Sequence, residues 1–198
     1  MLITLAVIFV LLLASYIFLI MRKDGFSYSY FIVRCNSGNA KPDFFSYFYL
    51  VFTDKGLLAL LIYRVANRIG SRVLGRILSR VSEFFTGIEI YYNAKIGKSV
   101  QIWHGNGVVI GQSAVIGDNC VILQQVTIGA GFVEIGDNCK LGAGSKILGN
   151  IIIGDNVAVA ANSVVTMNVS SNSVVGGIPA EVIRSIESTE EVCFGTKK

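Results

Sequence analysis

The chain has 198 residues, 53% of them hydrophobic and 15% charged, which bounds it to one globular domain plus an appendage and excludes an intrinsically disordered chain. Four cysteines (Cys35, Cys120, Cys139, Cys193) with no CxxC pair exclude a disulfide-rich scaffold and read as reduced thiols, and a single histidine excludes a multi-histidine metal centre. A formal net charge of +4 is too weak to argue for nucleic acid.

Residues 1–21 (MLITLAVIFVLLLASYIFLIM) carry no charge, and Arg22 and Lys23 follow at once. As a helix this segment spans about 32 Å, enough for a hydrocarbon core. It lacks the basic start and small-residue cleavage site of a signal peptide. The expectation is a single-pass anchor in the inner (cytoplasmic) membrane, with the basic flank holding the rest in the cytoplasm. In residues 22–88 a membrane-proximal, partly helical segment is expected. Within it, residues 44–52 (FFSYFYLVF) suit either a membrane interface or a hydrophobic cap on the main domain. Over residues 57–82 the spacing predicts one helix or two. Arginines recur every four residues from Arg64 to Arg80, and Val65, Ile69, Val73, Ile77 and Val81 follow one position later, interrupted by Gly70 and Gly75. Such a helix either lies on anionic lipid or turns a solvated arginine face outward over a packing face.

From Ile90 an aliphatic residue recurs every sixth position. The first run is Ile90, Ile96, Ile102; the register slips by two to Ile110, Ile116, Ile122, Ile128; it slips by one more to Ile135, Leu141, Ile147, Ile153, Val159, Val165. Gly or Ala often follows the aliphatic, and a small or aliphatic residue often sits four positions after it. This is the pattern of a solenoid whose short strands each point one aliphatic side chain into a continuous column, with tight turns between them. Cys120 and Cys139 fall at the inward small position, as buried hydrophobes. Asp118-Asn119, Asp137-Asn138 and Asp155-Asn156 fall at turns.

These thirteen hexads resemble the left-handed parallel β-helix of the hexapeptide-repeat acyltransferases. Leu60–Ala66, the stretch from Gly87 through Gly97, the turn Trp103-His104-Gly105-Asn106-Gly107, the run Gly142–Asn150 and Gly177-Ile178-Pro179-Ala180 resemble the serine acetyltransferase branch. The resemblance implies a mainly β fold: a β-helix over 89–176 and a tail, 177–198, closing a coenzyme groove. It implies an acetyl-CoA-dependent O-acetyltransferase, without metal, working as a homotrimer. His104 stands at the family's general base, a role imidazole suits near neutral pH. Glu89, fifteen residues earlier, stands where the family carries the carboxylate that orients it; the alternative is an exposed glutamate at a coil corner. Gly129 and Ala130 stand near the thioester. Gly142 and Ala143 repeat at Ala160 and Ala161, eighteen residues on, as a ladder of small residues for the pantetheine arm, which plain hexad regularity also favours. Pro179 closes the groove, and Lys146 and Arg184 suit phosphates.

The departures concern the acceptor. The connection after Gly129 is short and carries no second histidine, and Trp103 replaces an acidic residue. These departures resemble the branch that acetylates sugar hydroxyls of surface polysaccharides, and such a hydroxyl is the acceptor expected here. Trp103 either stacks on the sugar or caps the apolar column, and Asn106 shares its turn. L-Serine is the first alternative acceptor, and a non-catalytic membrane scaffold is the second. A zinc-dependent carbonic anhydrase on the same helix needs several histidines and is excluded.

Overall fold

The computed structural model describes Ser15, Tyr49 and residues 53–187. Residues 1–21, the expected anchor, the cluster at 44–52 other than Tyr49, and the last eleven residues of the tail lie outside the described residues.

Within residues 53–187, two helices of equal length come first. α1 (Lys55–Ile69) starts at Asp54, whose carboxylate accepts from the Leu57 amide, and stops at Gly70 in the left-handed region at φ 69°. α2 (Arg72–Thr86) starts at Ser71 and stops at Gly87, again left-handed at φ 71°. The arginine stripe expected over one surface is therefore divided, because Gly70 turns the chain between Arg68 and Arg72. Only Val65 of the apolar stripe packs against the core; the members beyond it are not a packing face. Val73 is 69% exposed and Ile77 52%. α2 instead buries Gly75, Ser82 and Thr86. Gly75 is required there: a Cβ would stand 2.6 Å from the Tyr92 ring.

The solenoid follows as three parallel sheets. The first holds β1 (Ile88–Ile90), β4 (Val108–Ile110), β7 (Thr127–Gly129), β10 (Lys146–Leu148) and β13 (Val164–Val165). The second holds β2 (Lys95–Ile96), β5 (Ala114–Ile116), β8 (Val133–Ile135) and β11 (Ile151–Ile153). The third holds β3 (Gln101–Ile102), β6 (Val121–Ile122), β9 (Lys140–Leu141) and β12 (Ala158–Val159), closed by the hairpin β14 (Ser173–Gly177) and β15 (Ala180–Ser185). Each hexad aliphatic ends or centres one strand of β1 to β13. All thirteen are buried, and Ile96, at 7%, is the most exposed. Each such side chain contributes about 1.5–3 kcal/mol of burial, and the next coil supplies the strand's hydrogen bonds.

The register slips are local. The turn carrying Trp103 to Gly107 is two residues longer than the turn from β6 to β7 stacked on it. The turn after Gly129 is one residue longer than its neighbour below.

The open bottom of the column is capped by α1. Leu57, Leu60, Leu61, Tyr63 and Ala66 are buried against it. The Tyr63 hydroxyl donates to the Ala94 carbonyl at 2.6 Å, and the Arg64 guanidinium donates to the carbonyls of Ile96 and Gly97. These are acceptors of the lowest coil, which has no coil beneath it. Along the edge between the second and third sheets, aspartates do the same between coils. Asp118 accepts from the Lys98 amide at 2.6 Å, Asp137 from Asp118 at 2.7 Å and Asp155 from Asp137 at 2.7 Å; the Ser171 hydroxyl accepts from Asp155 at 2.9 Å. The sequence reading of these residues as turn chemistry holds.

Cys120 and Cys139 are buried, and their thiols donate to the carbonyls of Gly136 at 3.2 Å and Gly154 at 3.1 Å. The hydrogen bond with the Cys139 thiol, and then burial, push the Cys120 thiol far above the usual range.

Candidate active site

His104 is the only histidine, and it sits in the longer turn between β3 and β4, in the left-handed backbone region that eight other non-glycine residues of the described coils also adopt. Its φ is +56°, in the left-handed region, and its side chain is exposed. A bulky residue held there by two extra residues in the turn projects away from the column. Next to it, the Asn106 amide donates to the His104 carbonyl at 2.6 Å, and the Asn106 side chain accepts from Lys55 Nζ at 3.4 Å. Trp103 is half-buried, with its indole N–H donating to Gln101 Oε1 at 2.8 Å, so its ring is anchored to the third sheet.

Three stacked turns continue this edge. The Gln125 amide donates to Asn106, Gly144 to Gln124 and Asn162 to Ala143. The structure thereby puts Gly142, Ala143, Ala160 and Ala161 on the edge that carries His104. The ladder is tight as well as small: a Cβ on Gly142 would stand 2.6 Å from the Ala161 amide nitrogen. β15 folds back beside the top of this ladder. A Cβ on Gly176 would meet Ile183 at 2.7 Å and Ala160 at 3.0 Å. Pro179 and Arg184 lie on this hairpin and are exposed, and Arg184 donates to the Ser185 carbonyl at 3.4 Å.

Gly129 and Ala130 are on a different edge, between the first and second sheets, where Gly149 donates to Gly129. The width of the first sheet separates them from the His104 ladder. Its outward column runs Glu89, Val109, Thr127, Lys146 and Val164 in register. Lys146 donates to the Gln125 carbonyl at 2.6 Å. The small residues thus lie on two edges of the first sheet, with Lys146 on the face between them.

Glu89 is partly buried on β1. Its carboxylate meets Arg80 Nη1 at 3.2 Å, and the same nitrogen meets Glu83 at 2.6 Å. The hydrogen bond to Glu83, then the charge of Glu89, raise the already high pKa of Arg80. No hydrogen bond or ion pair joins Glu89 to His104 among the described residues. Arg80 is the partner the sequence reading missed. The signal was present: Gly87 caps α2 two residues before Glu89, which folds the chain back on the helix that carries Arg80.

This contact forms one wall of a cavity of about 820 Å³ between α2 and the lowest coil. Arg76, Phe84, Glu89, Tyr91 and Tyr92 line it. None of these but Glu89 was singled out from sequence as a site residue. Among the described residues no group of three or more His, Cys, Asp or Glu is placed to hold a metal ion.

Two family profiles match, the bacterial transferase hexapeptide (six repeats) over residues 132–166 and the hexapeptide repeat of succinyl-transferase over residues 107–147. A serine acetyltransferase from Staphylococcus aureus is 45% identical over 145 residues, covering 68% of each chain. One from Staphylococcus epidermidis is 46% identical over the same length and share. Among solved structures, the soybean serine acetyltransferase apoenzyme has a TM-score of 0.66 at 37% identity, covering 70% of this chain and 61% of its own. The serine acetyltransferase of Neisseria gonorrhoeae reaches a TM-score of 0.72 at 28% identity, covering 87% and 68%. This chain thus spans about three fifths of the length of the soybean enzyme.

The expected single-pass location in the inner membrane is corrected by these findings. The relatives are serine acetyltransferases, and no helix among the described residues is long and apolar enough to cross a membrane. α1 and α2 have 15 residues each, roughly 22 Å, and both carry arginines.

Proposed function

The chain belongs to the serine acetyltransferase-like branch of the hexapeptide-repeat acyltransferases, and on that premise we propose that it is an acetyl-CoA-dependent O-acetyltransferase with His104 as its general base. The observation that carries this reading is an exposed histidine, in the turn lengthened by two residues, on the edge that continues upward as the Ala143 and Ala161 ladder. We further infer the left-handed winding and the homotrimer of the family.

Acetyl-CoA, when bound, supplies an activated acetyl thioester. The ladder of Gly142, Ala143, Ala160 and Ala161 would hold its extended arm, and Lys146 and Arg184 suit its phosphates. The neutral imidazole of His104 takes the proton of the acceptor hydroxyl as the oxygen attacks, and returns it to the departing sulfur. Glu89 steadies the imidazolium. In the resting arrangement its carboxylate is held by Arg80, which is 64% exposed, so that pair is weak and readily exchanged.

L-Serine is the first acceptor of this reading. The Staphylococcus relatives are named serine acetyltransferases, and the soybean and Neisseria gonorrhoeae enzymes have been solved with serine. A sugar hydroxyl is the second. It is favoured by the three-residue connection between β7 and β8, which has no histidine, and by the aromatic cavity beside Glu89. The test is release of coenzyme A from acetyl-CoA by the purified full-length protein with L-serine as the only acceptor, repeated with His104→Ala. Serine-dependent turnover that disappears in the variant supports the first acceptor. Turnover with a glycan hydroxyl only supports the second. Acetyl transfer that persists unchanged in His104→Ala sinks the role of the histidine.

A further inference from the structure

The cavity beside Glu89 has a chemistry of its own. Four aromatic rings (Phe84, Phe85, Tyr91 and Tyr92) and two guanidinium groups (Arg76 and Arg80) meet there. The two arginines are not equivalent. Arg80 already faces two carboxylates, Glu83 at 2.6 Å and Glu89 at 3.2 Å. Arg76, one helical turn away, makes no ion pair or hydrogen bond among the described residues. One cation is therefore satisfied by the protein and the other is available to an anion from outside.

The shape of the wall is fixed. Gly75 brings α2 against the Tyr92 ring, and Asn67 of α1 donates to the Tyr92 carbonyl at 2.8 Å. Phe84 is 84% exposed and meets Phe85 edge-to-face, with centroids 5.2 Å apart. Aromatic rings at a wet rim offer flat apolar faces to ligands that are apolar on one side and polar at the edges. A guanidinium beside them recognises a carboxylate through paired hydrogen bonds. A pyranose ring carrying a carboxylate has both properties.

Size points the same way. The cavity is half open to solvent, and its roughly 820 Å³ is more room than a three-carbon amino acid fills. Tyr91 follows β1 on one edge of the first sheet, and His104 stands on the opposite edge. The three residues of β1 between them span about 10 Å. A ligand resting on Tyr91 and Arg76 must bridge that width to present a hydroxyl to His104. A carboxylate-bearing sugar joined to a second sugar covers that width, and a three-carbon hydroxy amino acid does not.

We infer that this cavity is an acceptor subsite for a carboxylate-bearing sugar, with Arg76 gripping the carboxylate, the aromatic rim receiving the ring, and Glu89 at the end nearest the reacting hydroxyl. The inference rests on the transferase reading of His104 and names the substrate class of the same site.

The test separates the two. Ligand-observed NMR titration of the full-length protein without acetyl-CoA compares methyl α-D-glucuronide, methyl α-D-glucoside and L-serine. The glucuronide is expected to bind about tenfold more tightly than the glucoside, the worth of one charge-assisted pair. Arg76→Gln is expected to abolish that preference and Arg76→Lys to keep part of it, while leaving glucoside binding unchanged. Equal binding of the two sugars, an Arg76→Gln variant that still prefers the glucuronide, or binding of L-serine alone overturns the subsite. Acetyl transfer is then measured separately. Glucuronide binding without transfer would count against the transferase reading and leave the subsite standing. Transfer to L-serine without glucuronide binding would do the reverse.

Discussion

α1 and α2 have the same length, adjoin each other in sequence, and both carry arginines, yet they serve opposite ends. α1 buries seven residues and closes the column. α2 buries three, all small or hydroxyl-bearing, and leaves Val73, Ile77, Phe84 and Phe85 in solvent. Arg64 of α1 is spent on two backbone carbonyls of the lowest coil. Arg80 of α2 reaches a carboxylate of the candidate site instead. The lesson is that hydropathy alone does not identify the packing helix. α1 packs because its buried side chains meet an open solenoid end that needs both apolar cover and donors.

Substitutions can separate the fold-keeping helix from the site-facing one. His104→Ala provides the reference for lost chemistry with an intact fold: transfer is expected to drop about 10²–10⁴-fold with no change in the urea midpoint. A variant that unfolds would instead make His104 structural. On α1, Leu60→Ala should cost about 2–5 kcal/mol in urea unfolding, because the side chain is wholly buried. Val73→Ala on α2 is the matched control, expected within about 0.5 kcal/mol of the parent. Equal losses at the two positions would erase the contrast between the helices.

Removing Arg64 leaves the carbonyls of Ile96 and Gly97 short of donors, so Arg64→Ala is expected to destabilise by about 1–3 kcal/mol. Arg80→Gln should leave the unfolding midpoint unmoved. By freeing Glu89 it should raise kcat/KM by at most about fivefold, the limit for an exposed pair. A fall in rate would mean that Arg80 holds Glu89 in its working position.

The smallest effect belongs to the column both helices adjoin. Cys120 holds its proton more tightly folded than unfolded, so its contribution is whole below pH 9.0, the ordinary thiol value, and declines as pH rises above it. Because both thiols are buried, iodoacetamide at pH 9 should leave Cys120 and Cys139 unlabelled in the native protein and label both in urea, as peptide mass mapping would report. Native labelling at either site would show that the column opens locally.

The column was fully legible because its signal is periodic and its partners are fixed by it. Each strand bonds to the strand one coil away, so Ile90 to Val165 announce both burial and pairing. The two slips were legible for the same reason, and the first led directly to His104. What periodicity cannot carry is the approach of a helix to the outside of a coil. The stripe from Val65 to Val81 reads as one face, for lipid or for packing, yet Gly70 resets its direction, so Val65 packs on the core while on α2 the small residue at Gly75 makes the contact. Gly129 and Ala130 resemble part of one coenzyme strip with Ala143 and Ala161. Assigning each hexad to one of three sheets separates them onto two edges, a distinction that needs the coil geometry as well as the repeat. Arg80 and Arg76 were visible only as members of a stripe, because the partner of the first comes from the fold and the freedom of the second from the lack of one.

The aspartate edge gives the polypeptide a direction in time. The amide of Lys98 is satisfied by Asp118, that of Asp118 by Asp137, that of Asp137 by Asp155 and that of Asp155 by Ser171. Every acceptor lies later in the chain than the amide it serves. As the ribosome delivers the protein, each finished coil therefore waits on one still to emerge, and the growing tip always carries an open amide. The debt passes from coil to coil until Ser171 discharges it with a hydroxyl. A chain cut short anywhere between Asp118 and Ser171 ends with that amide unanswered.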